Sequence, residues 1–322
     1  MKNSLIGIYA VLIASVAWAD YPDRPVILVV PFAAGGPSDH IARDLADSLR
    51  KTLGQVITVE NTGGLGGTVG AARVAKAAPD GYTLLLHHIG MATAPALYRS
   101  LSYRPLEDFD YLGMVNEAPM TLIGRANFPA ANYGELTQWI SANPGRASLA
   151  NAGVGSASHL CGLLFQTALK LPMTTVPYKG TGPAMADLAN GRVDLMCDQA
   201  TNTVPQIEAG KVKAYAVATI KKSTNPILAK LPTLDELGLR GFNITVWHAL
   251  YAPRGTPKAV TNKLNVALKL ALKDPELIKR SEALGVAIIS DSRVNPVEHK
   301  RFVEVETVKW GAVIRAVGQF AD

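Results

Sequence analysis

Cysteine occurs only twice in this 322-residue chain, at Cys161 and Cys197. Two thiols are too few for a structural zinc site, and no histidine pair at ligand spacing accompanies them. Lys and Arg never run beyond two in a row and are not interleaved with aromatics. The clustered footprint of a nucleic-acid binder is therefore missing. Charged residues are 18% of the chain against 48% hydrophobic, which excludes a disordered chain. After residue 19 no apolar run is long enough to span a bilayer. Nucleotide signatures are missing as well. The run Gly63-Gly64-Leu65-Gly66-Gly67 lacks both the G-x-G-x-x-G order and the lysine of a phosphate loop, and reads as a strand-to-helix turn. Ser156 lies in Gly155-Ser156-Ala157, outside the G-x-S-x-G elbow of the α/β hydrolases.

What is present begins at the N-terminus. Lys2 supplies a positive start and Leu5 to Val16 a short apolar run. Ala17-Trp18-Ala19 then supplies a small-x-small cleavage site. This is the layout of a secretory signal covering residues 1–19, with a membrane anchor or a buried helix as the competing readings. No cysteine lies at the cut to carry a lipid. The mature chain then starts at Asp20 in the periplasm, where no ATP or NADH pool supports nucleotide-driven chemistry. The formal charge of +6 falls by one with Lys2. That modest balance suits an anionic ligand and suits many soluble basic proteins equally. In an oxidising compartment Cys161 and Cys197 either form a disulfide or remain buried thiols, and both readings stay open.

The pattern along the chain is strand, glycine loop, helix, repeated. Val26 to Val30 is an all-apolar, β-branched run of the kind buried on both faces of a parallel sheet. After Pro31 comes the loop Ala34-Gly35-Gly36-Pro37-Ser38-Asp39. Ile41, Leu45 and Leu49 then mark one face of a helix that Ser38 or Asp39 can cap. Further strands are expected at 56–59, 82–86, 147–150, 175–177, 193–197 and 213–219. Further helices are expected at 68–77, from Ser156 to about Leu171, and up to Asn190. Such alternation means an α/β fold with mostly parallel sheets. The segments 120–124 and 244–253 read as crossings between two lobes. The C-terminal part reads as helical over 261–272 and 296–317. The expected division is 20–122 with 245–322 as lobe I and 123–244 as lobe II, with a ligand cleft and hinge between them.

In parallel α/β sheets ligands sit beyond the carboxyl ends of strands, where helix N-termini offer free N–H groups to anions. Four loops qualify: 32–39, 87–92, 151–159 and 178–182. Each residue has a structural reading beside the functional one. Gly35 can simply make a turn, Ser156 can be an N-cap, and His159 can face solvent. His87-His88 at a strand end is harder to explain structurally, because buried imidazoles need partners. Ser156, His159 and Asp198 also admit a nucleophile, base and orienting group of a periplasmic hydrolase. Against this, neighbours in the first turn of a helix seldom form such a pair.

Several motifs in order resemble those of one family. They are Pro22-Asp23-Arg24-Pro25, Val30 to Asp39, Asn61 to Gly70, Ala78 to Leu84, Val176 to Gly180, Asp187 to Asp194, Trp247, and Ala252 to Pro257. Over essentially the whole mature chain the sequence resembles the periplasmic substrate-binding proteins of tripartite tricarboxylate transporters, the Bug family. The resemblance implies a type II periplasmic-binding fold, two lobes closing on a carboxylated ligand, and delivery to membrane permease subunits. It implies no cofactor and no enzymatic activity. One ligand carboxylate is expected between the loops carrying Phe32, Ala34 and Gly35 and those carrying Tyr178, Gly180 and Thr181, with Asp198 nearby. The other end of the ligand falls to Ser38, His87, His88, Asn151, Ser156, Ser158 and His159. The paired histidines depart from the Ser or Thr expected after that strand. The overall likeness points to an aromatic dicarboxylate such as terephthalate, with citrate-like, aliphatic and amino-acid ligands open. A monomer is expected, and a sensor partner of a receptor is the alternative to transport.

Overall fold

The computed structural model describes residues 21–318, so the signal segment and its cleavage site lie outside the described residues. The first half of the chain runs β1 (Val26–Val30), α1 (Pro37–Leu53), β2 (Ile57–Asn61), α2 (Thr68–Ala75), β3 (Thr83–His88) and α3 (Gly90–Leu97). A long strand β4 (Phe109–Arg125) follows. Then come α4 (Tyr133–Ala142), β5 (Ser148–Asn151), α5 (Ala157–Leu169), β6 (Thr174–Pro177), α6 (Thr181–Ala189), β7 (Leu195–Gln199), α7 (Ala200–Glu208) and β8 (Val212–Val217). The chain returns through β9 (Thr245–Pro253), α8 (Lys258–Ala271), α9 (Pro275–Ala283), β10 (Ala287–Ile288) and α10 (Pro296–Val317).

Strand order is β2-β1-β3-β9-β4-β7-β5-β6, with β8 and β10 also pairing β4. The β1, β2, β3 group and the β5, β6, β7 group are each parallel inside. The expectation of mostly parallel sheets needs correcting at the centre, where β4 and β9 run antiparallel to each other and to their other neighbours. β4 joins the two groups. As far as Pro119 it pairs β9, and from Met120 onward it pairs β7 and β8. Proline cannot donate to a ladder, so Pro119 suits the point where the strand changes partners.

Two α/β lobes result. In the first, α1 and α8 cover one sheet face through Leu45, Leu49, Leu264 and Leu268. The other face lies under α2, α3 and α10 through Val74, Met91, Val303 and Trp310. The α1 stripe read from sequence, Ile41, Leu45 and Leu49, is buried. In the second lobe Cys161 of α5 and Cys197 of β7 are joined by a disulfide, with Cα atoms 5.9 Å apart. The lobes also touch at the cleft mouth, where the Tyr98 hydroxyl donates to the Val154 carbonyl at 3.2 Å.

Candidate functional site

Four helices begin at one cavity between the lobes. It is nearly closed, with about 20 Å³ of free volume, room for little more than a water. The first lobe contributes Phe32, Ala33, Gly36, Pro37, Ser38 and His88. The second contributes Ala152, Ser156, Ala157, Ser158, Gly180, Thr181, Asp198 and Gln199. No Lys or Arg is among them. Three of the helix starts lack a side-chain cap: α1 after Gly36, α6 after Gly180 and α7 after Gln199. All three present positive dipole ends to an anion, although in α1 Pro37 has no N–H and the Asp39 N–H is held by the Gly36 carbonyl at 3.1 Å, which leaves the Ser38 N–H.

Ser38 was expected to cap α1, as was Asp39. Neither does, because Gly36 holds the N-cap position and both residues lie inside the first turn, where their side chains take other partners. The Asp39 carboxylate accepts from Gly35 N–H at 2.9 Å and from Arg43. Ser38 Oγ sits 3.0 Å from His248 Nε2, and His248 Nδ1 sits 3.0 Å from Asn116 Oδ1. On the opposite wall Ser156 does cap α5, its Oγ accepting from His159 N–H at 3.2 Å. Ser158 Oγ accepts from Ala152 N–H at 2.8 Å and so fixes the β5–α5 loop.

Eight expected residues come together in the lining: Phe32, Ser38, His88, Ser156, Ser158, Gly180, Thr181 and Asp198. Six do not. Ala34 and Gly35 lie exposed on the rim, because the loop turns and presents Ala33 and Gly36 instead. His87 adjoins the lining without entering it: its ring lies 4.9 Å from the His88 ring and 5.8 Å from Phe32, and its Nδ1 accepts from His88 N–H at 2.8 Å. His87 packs toward the start of α2, where a Cβ on Gly67 would come within 2.9 Å of its ring. Asn151 Oδ1 accepts from Gly153 N–H in its own loop, and Asn151 and His159 line a separate outer crevice. The Tyr178 hydroxyl donates to Asp187 at 2.9 Å. Ser156 and His159 share only that backbone capping bond, because His159 Nδ1 is turned to Gly155 N–H at 3.3 Å. The hydrolase arrangement is therefore not assembled from them.

Burial sets the charges of the site. It holds His87 and His248 well below the ordinary histidine range and His88 down to about 3, and it lowers His159 as well. These rings are neutral and supply no cation to a carboxylate. His88 Nδ1 accepts from Gly90 N–H at 2.9 Å, so the ring proton belongs on Nε2. The ring also stacks on Phe32 at 4.5 Å between centroids. Asp198 is the one ionisable acid in the lining. Burial raises it to about 7 even though Asn202 donates to it at 2.7 Å. Gln199 next to it has Oε1 buried with no hydrogen-bond partner.

Of the remaining lining residues, Ala33, Gly36, Pro37, Ala152 and Ala157 lie inside the expected loops 32–39 and 151–159 without having been singled out, and Gln199 next to Asp198 was missed. Asn116 and His248, which lie behind the wall, were missed as well. Their only sequence signal is a polar residue inside an apolar strand run. Among the described residues no cluster of three His, Cys, Asp or Glu side chains is placed to hold a metal.

The chain matches the family described as the tripartite tricarboxylate transporter family receptor, TctC, over residues 41–319. It is 48% identical over 299 residues to a UPF0065 protein in the TAR-I ttuE-ttuC' intergenic region of Agrobacterium vitis, covering 93% of this chain and 86% of that protein. Among solved structures it resembles the periplasmic binding protein BugD with 49% identity and a TM-score of 0.89, over 92% of this chain and 99% of that one. It also resembles MatC from Rhodopseudomonas palustris, solved with bound malate, with 41% identity and a TM-score of 0.87. That match covers 91% of this chain and 100% of MatC.

Proposed function

Because the chain belongs to the tripartite tricarboxylate transporter receptor family, TctC, we propose that it captures a small carboxylate by lobe closure in the periplasm. It then hands the closed, liganded form to the permease subunits of a tripartite transporter. The observation that carries this reading is the convergence of three uncapped helix N-termini on one cavity whose lining has no cationic side chain. Backbone N–H groups hold a carboxylate there without requiring a fixed countercharge. Closure on the ligand requires higher affinity for the closed arrangement than for the open one.

The exchange of β4 partners at Pro119 and Met120, and the start of β9 at Thr245, support drawing lobe I as 20–122 with 245–322 and lobe II as 123–244. Residues 1–19 are read as a signal removed after Ala19, and the protein as a monomer without enzymatic activity. An aliphatic di- or tricarboxylate comes first as ligand, because MatC was solved with malate. An aromatic dicarboxylate such as terephthalate is the second reading, favoured by the Phe32–His88 stack as a platform for a ring.

A thermal-shift screen of the mature chain tests this, with malate, succinate, citrate, adipate, acidic amino acids, benzoate and the phthalate isomers. A ligand of the folded state raises the melting temperature. A shift with aliphatic acids supports the first reading, and a shift with terephthalate alone moves the assignment to the second. No shift with any carboxylate, on protein shown to be ligand-free, sinks the receptor reading. Co-purification with permease subunits separates transport from a sensing role.

A further inference from the structure

We propose that His248 and Asn116 fix the Ser38 hydroxyl as a hydrogen-bond acceptor toward the ligand. The cleft then selects carboxylates bearing a hydroxyl or ammonium donor over the matched plain acids. This rests on the receptor reading and names the ligand chemistry within it.

The argument is one of hydrogen-bond polarity. A neutral imidazole has one N–H donor and one bare nitrogen acceptor. His248 faces Asn116 directly across the β9–β4 ladder, and its Nδ1 lies 3.0 Å from Asn116 Oδ1. An amide oxygen only accepts, so the ring proton is on Nδ1. Nε2 is then bare, and the only proton available for its 3.0 Å contact is that of Ser38. With its proton spent on His248, the Ser38 oxygen has only lone pairs left for the cavity it lines. His248 is 0% exposed and its near neighbours are neutral (Asn116, Ser38 and the His88 ring), so nothing there stabilises an imidazolium. A second observation points the same way. Gln199 lines the cavity with Oε1 buried and unpartnered, a further acceptor awaiting a donor.

The connectivity Ser38–His248–Asn116 has the order of nucleophile, base and orienting group. Its chemistry differs. A base must become an imidazolium, and burial holds His248 well below the ordinary histidine range with no carboxylate behind it. The chain of bonds orients Ser38 and transfers no proton.

Calorimetry on the full mature protein with matched acids tests the proposal: malate against succinate, and aspartate against succinate. The wild type is expected to bind the better donor-bearing acid about tenfold or more tightly than succinate, since a plain acid leaves buried acceptors unpaired. In His248→Gln the preference falls to within about threefold, because Ser38 is released to donate. Long-range proton–nitrogen NMR of the unliganded protein reads the His248 tautomer directly and does not depend on any ligand. A proton on Nε2 overturns the proposal, as does equal binding of succinate and both donor-bearing acids by the wild type. So does an unchanged preference in folded His248→Gln. If no carboxylate binds, the receptor reading falls and the ligand selection falls with it. An Nδ1 proton in that spectrum would still uphold the orientation of Ser38.

Discussion

Asp198 shows how one buried side chain couples this site to pH. Its carboxyl is raised by burial from 3.8 to about 7, at the end of β7 where the cavity opens. Between those values the folded state keeps a proton that the unfolded chain has released. Stability therefore falls as pH rises from about 4 to 7 and stays low above that. The penalty is absent below the unfolded value. Asp198→Asn is expected to flatten this slope and to be more stable than the wild type at pH 8, by on the order of 2–4 kcal/mol. Urea unfolding at pH 5 and pH 8 measures it, and parallel pH profiles for the two proteins would refute it. The same scale shows why some site residues were not legible. The sequence places His87 and His88 together, and the structure keeps their rings 4.9 Å apart, but only His88 reaches the cavity lining. His248 lies 210 positions from Ser38 and meets it only once β9 has inserted beside β3. Local patterns carry no such information. They do carry the glycine and serine at each helix start, which is why Ser38, Ser156, Ser158, Gly180 and Thr181 were within reach.

Among the elements, the short parallel units were the most readable, because each is an apolar run followed by a glycine loop and a helix stripe. β1 matches its expected bounds, and α10 was anticipated as a long C-terminal segment. The long strand β4 was not read as a strand; only 120–124 was marked, as a crossing between the lobes. Gly113, Glu117 and Pro119 interrupt its apolar run, and register shifts near Gly113 and Asn116 break simple alternation. α3 and α4 were not anticipated, and α3 has little amphipathic signal because nearly all of it is buried. The disulfide ties α5 to β7, one residue before Asp198, across 36 positions. Closing a loop of that length removes unfolded-state entropy worth roughly 2–4 kcal/mol. The double variant Cys161→Ala, Cys197→Ala is expected to lose about that much in urea unfolding at pH 7. A loss under about 0.5 kcal/mol would show that the bond does not constrain this lobe.

For the molecule as a whole, function depends on the difference between open and closed arrangements, and the described structure has the lobes in contact. The lobes are linked by β4 and β9, paired at Pro119 and Thr245, so motion between them must bend these two strands together. On the cleft side the contact includes Tyr98, whose hydroxyl donates to Val154 and whose ring lies against Gly155. Gly155 has φ +82, and a Cβ there would meet the Tyr98 ring, so glycine is what lets the lobes approach this closely. Tyr98→Phe keeps the ring and removes the hydroxyl that reaches Val154 across the lobes. It is expected to cost about 1 kcal/mol in the closed state alone, hence roughly fivefold in ligand affinity. The unliganded melting temperature should hardly move if the free protein rests open. Calorimetry and a thermal scan read the two quantities separately. An unchanged affinity would mean that closure does not depend on this contact. A fall in unliganded stability equal to the loss in affinity would mean that the free protein already rests closed.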